Sequence, residues 1–423
     1  MDYECANMGS YNLHIIKTNK FKTVTVEVDF YNKMNKDDIT KRNLLKSVLL
    51  NCNNTFKTEK ELIRETENLY DLKLISSNNR VGNYSNLSFR VKFLNEKYTE
   101  EDMNRYSIEF LFDILFNPYV KNNKFDEEVV KKCKKSLKKS IESLKDNKLK
   151  YAIQNLLKST KDMPYSYSMY GNIDDLEKID SSNLYEYYKT LFVDNYIDVF
   201  VLGDVDSDKI KEIFRNKFMA TTFKKKKELD IVSKELNARK RIKKIVEQCD
   251  ASQSQLTMLC NLNDISIFER KYVLLVYNEL LGGGSHSILF NNVREKNSYA
   301  YYINSVIKSY DNLLLIYSGI ENGNSAPVIK LVRKCLIDVS KGKFSDTDLE
   351  SAKENIIASI KASKDSTVGI INSYFAKVIV NSSDFDERIV KIKSVTRDDI
   401  IDLSRKIHVH TVYLLEGDSN EKN

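Results

Sequence analysis

Histidine is scarce in this chain of 423 residues: only His14, His286, His408 and His410 are present. No two of them stand four residues apart, so no helix can turn a pair of imidazoles toward one metal ion. His408 and His410, two residues apart, would share one face of a strand near Glu416 and Asp418. A structural zinc site wants four ligands at recognisable spacing, and flanking a terminal strand is the better reading of this pair. The six cysteines (Cys5, Cys52, Cys133, Cys249, Cys260, Cys335) include no C-x-x-C pair and read as small, mostly buried apolar residues of a reducing compartment. No G-x-S-x-G elbow is present, which disfavours a serine hydrolase. No stretch approaches the roughly 18 apolar residues needed to cross a bilayer. The opening MDYECANMGSYNLHIIK carries acidic residues at once and resembles neither a secretory signal nor a transit peptide. A soluble, cytoplasmic protein with no membrane association is expected. Three prolines, no tryptophan and much Asn, Lys, Ile and Tyr read as genome composition bias.

Charge is mildly unbalanced, at +7. The run around Lys131, Lys132, Lys134 and Lys135 spaces Val130, Leu137 and Ile141 as an amphipathic helix with its lysines in water. The runs 224–227 and 239–244 have few apolar residues and read as a linker. Neither is interleaved with the aromatic platforms that nucleic-acid binding would want, so no nucleic acid is expected as a partner.

The richest local signal is LGGGSHSILFNNVREKNSYAY, residues 281–301. Gly282, Gly283 and Gly284, followed by Ser285, separate two apolar helical patterns. Three glycines in a row permit positive φ and leave backbone amides uncovered, so a substrate could lie directly against this turn. Arg294 and Tyr301 follow it, a guanidinium and a phenol able to donate hydrogen bonds to a carbonyl oxygen, above all where charge develops during attack on an amide. The simpler alternative is a helix C-cap followed by surface residues, for which one glycine would serve as well as three.

The chain also repeats itself. Phe125, Leu137 and Ile141 match Phe344, Ile356 and Ile360 at one constant offset, in helix patterns opened by acidic caps. A strand ending in Gly203-Asp204 is answered by one ending in Gly417-Asp418. Strand 23–31 with helix 38–50 is answered by strand 254–262 with helix 266–281. Each half adds a pair of strands, at 72–77 and 87–94 in the first and at 299–307 and 312–320 in the second. Two homologous α+β domains follow, each a mostly antiparallel sheet covered by helices: 1–225, a basic linker 226–244, and 245–423.

The elements Gly282-Gly283-Gly284-Ser285, Leu289-Phe290, Val293-Arg294-Glu295-Lys296 and Ala300-Tyr301 resemble the C-terminal half of the insulinase/pitrilysin zinc peptidases. At Ser298-Tyr299 that family more often has a glycine followed by an aliphatic residue. The resemblance implies a duplicated clamshell half in which the arginine and tyrosine reach toward a zinc held elsewhere and steady the substrate carbonyl. Peptide-cutting members carry His-x-x-Glu-His on the helix after the first core strand. With Thr58-x-Lys60-Glu61-Leu62 as anchor, Asn43, Lys46 and Ser47 stand in those places. A lysine there opposes a dication, and Asn and Ser are poor zinc ligands beside imidazole. The first half also has Asn51-Cys52-Asn53-Asn54 where the second has its glycine turn.

What the resemblance implies is therefore a chain with no metal or cofactor of its own, partnered by a zinc-bearing sibling and acting on a peptide or unfolded polypeptide. Shorter likenesses, at Val48-Leu49-Leu50, Leu69-Tyr70, Ile141-Glu142-Ser143 and Asp146-Asn147-Lys148, point to bacterial insulinase-like proteins associated with 5-aminopentanol modification of elongation factor P. Two other readings remain open: an inactive peptide-binding or structural scaffold, and phosphate held on the glycine turn, which lacks the Gly-Lys-Ser/Thr ending of a phosphate loop.

Overall fold

The computed structural model describes residues 1–9, 11–217 and 229–418. The basic run 224–227 lies outside them. The strands are β1 (Asp2–Asn7), β2 (Asn12–Lys17), β3 (Thr23–Lys33), β4 (Lys73–Val81), β5 (Tyr84–Leu94), a short hairpin β6 (Val120–Lys121) and β7 (Lys124–Phe125), then β8 (Tyr196–Gly203), β9 (Lys243–Cys249), β10 (Ser254–Leu262), β11 (Ala300–Lys308), β12 (Leu313–Ile320) and β13 (Ile407–Gly417). One sheet has the order β1-β2-β8-β3-β5-β4 and a second the order β11-β12-β10-β13-β9. Read from opposite ends, the two orders are the same, with β4, β5, β3, β8 and β2 answering β11, β12, β10, β13 and β9. The match extends to direction, for β2 with β8 and β9 with β13 are the parallel pairs of otherwise antiparallel sheets. The expected α+β class and the duplication are thus both present. β2 and β9 were hidden from the sequence reading because one is short and the other opens with Lys243 and Lys244, the last two residues of the supposed linker.

The chain divides into two compact units, Met1–Glu142 with Ser168–Leu229, and Ser143–Tyr167 with Asp230–Asn423. The boundaries 225 and 244 therefore need correction on two counts. β9 begins at Lys243, inside the expected linker, and a segment of the first half belongs to the second unit. The reason is apolar burial: the helix Lys148–Lys158 sets Ala152 and Leu156 against Leu259, Leu313, Leu315, Tyr413 and Leu415 of the second sheet. Asn155 adds a 3.1 Å hydrogen bond to the Tyr413 hydroxyl.

In the first unit β3 is buried on both faces. Val24, Val26, Val28 and Phe30 point into a core closed by helices, while Thr25, Glu27, Asp29 and Tyr31 alternate with them. The polar face is held by pairing: Arg90 Nε lies 2.6 Å from Glu27, Asn86 donates to Asp29 at 2.7 Å, and the Tyr31 hydroxyl donates to Asp198. The helix Lys36–Leu49 is capped by Asn35, whose side chain accepts from the Asp37 amide. Its Arg42 is 1% exposed and donates to the Tyr187 hydroxyl (3.0 Å), the Phe30 carbonyl (3.1 Å) and Asn32 (2.9 Å), and also to Asn195.

β13 contains an extra residue. Leu259 pairs with Thr411 and Cys260 with Val409, so His410 bulges between them. The expectation that His408 and His410 share a face fails for this reason: His408 is exposed, whereas His410 is buried and 2.8 Å from Arg239 Nε. Burial, then the nearby Arg239 and Lys243, push the His410 imidazole down to about 4. Among the described residues, no helix is long and apolar enough to cross a membrane.

Arg42→Met should cost about 3 kcal/mol, because it strips buried carbonyl and amide oxygens of a charged donor while the new side chain supplies none. A urea midpoint within error of the wild type would contradict this account of how the helix is anchored.

Candidate functional site

Residues 267–283 form one continuous helix. Its start is locked by Ser266 and Glu269: the Glu269 amide donates to Ser266 Oγ at 3.2 Å, and the Ser266 amide to the Glu269 carboxylate at 2.6 Å. Lys406 pairs with the same carboxylate at 2.7 Å. The helix widens into π turns at Glu269–Val273 and again at Glu279–Gly283, just before the turn of interest. Its counterpart in the first unit, Lys36–Leu49, is α-helical throughout.

None of the three glycines has positive φ, and Gly284 is extended at φ −125°. The expectation of a left-handed turn is thus corrected; what requires glycine is close approach. A Cβ on Gly282 would lie 2.7 Å from Ser305 Oγ and 2.9 Å from the Ser305 backbone nitrogen on β11. Cβ atoms on Gly283 and Gly284 would meet the Glu279 carboxylate at 2.7 and 2.8 Å. Gly283 and Ser285 are exposed. The Glu279 carboxylate folded against the turn opposes an anion there, which removes the support for a phosphate site.

Beyond the turn, the Ser287 amide donates to the Gly284 carbonyl at 3.1 Å. A second helix follows, in which Leu289 and Val293 are fully buried and the Lys296 amide reaches five residues back to the Asn291 carbonyl at 3.0 Å. Those two anchors turn Arg294 outward, with its guanidinium 4.9 Å from the Phe290 ring centre and 3.8 Å from Glu295. Ser298 closes the helix at φ 53°, the region that favours glycine. Serine thus keeps the turn, at some strain, at the position where the resemblance implies a glycine.

Tyr301 lies at an irregularity in β11. Ala300 pairs with Ile320 and Tyr302 with Gly319, so Tyr301 is an extra residue that the edge strand pushes out, and it is 55% exposed. Tyr302 lies across Gly319 and donates to Gln255. Arg294 and Tyr301, brought together by the helix end and the bulge, line one open cleft of about 410 Å³ with Glu295, Ser298, Tyr299, Ala300 and Glu321. Gly282, Gly283, Gly284 and Ser285 are not among its lining residues. Glu321 escaped the sequence reading because only the Ala300 to Ile320 register carries it there.

In the first unit, Asn43 is buried and donates through its amide nitrogen to the Ile39 carbonyl at 3.0 Å and the Met169 carbonyl at 2.7 Å. Ser47 donates to the Asn43 carbonyl at 3.2 Å. Burial holds the Lys46 ammonium below the usual lysine range. These are donors and a cation turned to packing, so this set does not fit a zinc ion. Among the described residues, no group of three or more His, Cys, Asp or Glu could hold a metal.

A duplicated α+β chain with a glycine-rich turn and an Arg/Tyr cleft, in which Asn43, Lys46 and Ser47 do not fit a zinc ion, is of the class of inactive metallopeptidase homologues. Residues 178–356 match the family described as the peptidase M16 inactive domain. Over 418 residues, 97% of this chain and 96% of the relative, the sequence is 30% identical to a Bacillus subtilis (strain 168) protein described as the probable inactive metalloprotease YmfF. A conserved protein from Enterococcus faecalis V583 has a structure similar over 100% of both chains, with a TM-score of 0.93 at 25% identity. A peptidase M16 inactive domain from Pseudomonas fluorescens shares the fold at a TM-score of 0.77 and 15% identity, over 100% of this chain and 99% of that one. The chain belongs to the M16 family, the insulinase/pitrilysin peptidases, as a homologue of the inactive type.

The glycine geometry makes an asymmetric prediction. Gly282→Ala should lose about 1–3 kcal/mol, since the methyl meets backbone on β11. Gly284→Ala meets within 3 Å only the movable end of Glu279 and should stay within about 1 kcal/mol of wild type. Equal denaturation midpoints for the two variants would show that close approach is not what glycine serves here.

Proposed function

We propose that this chain is the non-catalytic subunit of a two-chain M16 metallopeptidase, completing the active site of a zinc-bearing sibling that cuts peptides or unfolded polypeptide. The observation that carries the reading is the cleft holding both Arg294 and Tyr301, in a chain whose own motif positions cannot hold the metal. On the sibling, a His-x-x-Glu-His site would supply the water-activating chemistry. This chain's part is to donate: the guanidinium holds the peptide carbonyl in the ground state, and the phenol hydroxyl stabilises the oxyanion as it forms. An isolated guanidinium and phenol have little to do without such a polarised carbonyl. The six free cysteines agree with a complex that works in a reducing cytoplasm.

A second reading, a peptide-binding scaffold that does not cut, draws on β11 being the edge of its sheet. An extended peptide can add to such an edge by main-chain hydrogen bonds. The two readings part at Tyr301.

In the reconstituted pair, Tyr301→Phe removes one donor from an exposed ring and should lower kcat by about 10²–10³ with little change in KM. Arg294→Ala should raise KM as well. Tyr302→Phe, which touches the Gln255 side, should not reproduce the loss. Unchanged kcat in Tyr301→Phe with the complex intact would reject the shared site and favour the scaffold. The purified chain alone should bind no stoichiometric zinc and cleave no peptide; elemental analysis with one tightly held zinc per chain would oppose the proposal.

A further inference from the structure

The helix Ser325–Ser340 turns Val328, Val332, Cys335 and Val339 into the second unit, at the spacing of one inward stripe. The residues beside that stripe face a groove. Ala326, Ile329, Lys330, Arg333, Lys334 and Ile337, with Lys244 of β9, line an open space of about 390 Å³. Four of these seven side chains are cations and the other three are aliphatic. Lys330 and Lys334 stand four residues apart, a like-charge pair that weakens a helix. The carboxylates of the two elements are engaged elsewhere: Asp338 pairs with Lys343 at 3.0 Å, and Glu247 accepts from Tyr151 at 2.7 Å and from Tyr413. Glu416 on the neighbouring β13 accepts from Gln248 at 2.8 Å. Among the described residues, no carboxylate lines the groove.

β9 supplies a second, independent feature. Among the described residues it is the last strand of its sheet, and it pairs with β13 alone. Its side chains alternate: Ile245 and Cys249 pack against the cluster that holds Ala152 and Leu156, while Lys244, Val246 and Gln248 are exposed on the face of the groove. Val246 is 57% exposed and Ile337 50%, so strand and helix both offer aliphatic surface beside the cations. We infer that β9 and the helix Ser325–Ser340 form a docking surface for an acidic, extended segment of a partner polypeptide, one whose alternate positions carry carboxylates and aliphatic side chains. Such a segment adds to the outer edge of β9 by main-chain hydrogen bonds, and every second side chain falls over the groove. There its carboxylates meet Lys244, Lys330, Arg333 and Lys334 and offset their mutual repulsion, while its aliphatic side chains cover Val246, Ile329 and Ile337. A nucleic acid is the poorer fit, because no aromatic ring lines the groove to stack a base. A second copy of this chain would bring the same four cations to the seam.

The groove is at the opposite edge of the second sheet from β11, so its test needs neither a sibling chain nor cleavage. The full chain is titrated into a fluorescein-labelled peptide of about nine residues, with glutamate and valine at alternate positions and threonine between them, and anisotropy is read. Saturable binding is expected, weakened several-fold as salt rises from about 50 to about 250 mM. Glutamine in place of glutamate in the peptide should cost about tenfold or more in affinity, and so should the double variant Lys330→Glu, Arg333→Glu. Lys135→Glu, Lys139→Glu makes the same change of charge on the helix Glu127–Glu142 of the first unit and should bind as the wild type does. All four substituted positions are exposed, so none of the changes touches a core. Equal losses in the two double variants would reduce the effect to net charge and overturn the proposal, as would the absence of saturable binding. Tighter binding of an oligouridylate than of the peptide would overturn it in favour of nucleic acid. Self-association of the chain that Lys330→Glu, Arg333→Glu abolishes would overturn it in favour of a second copy.

Discussion

Close approach of a helix end to an edge strand organises the second unit. With Gly282 against the Ser305 backbone, the helix 267–283 can end directly over β11, and the chain has only a short turn before the next helix begins. Buried Leu289 and Val293 then determine which way that helix faces, and Arg294 falls on its outer side. The strand that the glycine touches is the one whose first residues carry Tyr301. A single side-chain-free contact thereby places two polar groups at one cleft, without either having to touch the glycines.

Much of this was legible in the amino-acid pattern, and the rest was hidden for identifiable reasons. Apolar alternation placed β3, β5, β10, β12 and β13, because each buries at least one continuous row of side chains. β9 carries no such row: its burial merely alternates between half-buried and exposed, and lysines at its start read as linker. The Arg294 and Tyr301 pair was visible by residue type and spacing. The bulge that pushes Tyr301 outward was not, since it depends on how Ala300 and Tyr302 register against Ile320 and Gly319 across the strand pair. The reason for the glycines was also misread, because a sequence shows that Cβ is missing but not what stands in its place.

In the first unit, the helix Lys36–Leu49 is held to its surroundings by polar contacts at the positions where the resemblance would put a zinc motif. Asn43 ties the helix to the Met169 carbonyl, and Arg42, one residue earlier, fills the layer beneath with donors to four neighbours. The helix remains anchored by polar contacts, although none of them suits a cation. The opposite face of the same sheet concentrates buried acids around His14 and Arg90, a choice that costs desolvation and is offset only where each charge has a partner.

β1 has no counterpart in the second sheet. The first half therefore covers the strand that its twin leaves at the margin, and among the described residues β9 is the last strand of its sheet. Such a border invites another strand, from a second copy or from a chain still folding. Lys243 and Lys244 at its start are charged side chains on an edge strand, the kind of residue that opposes such pairing.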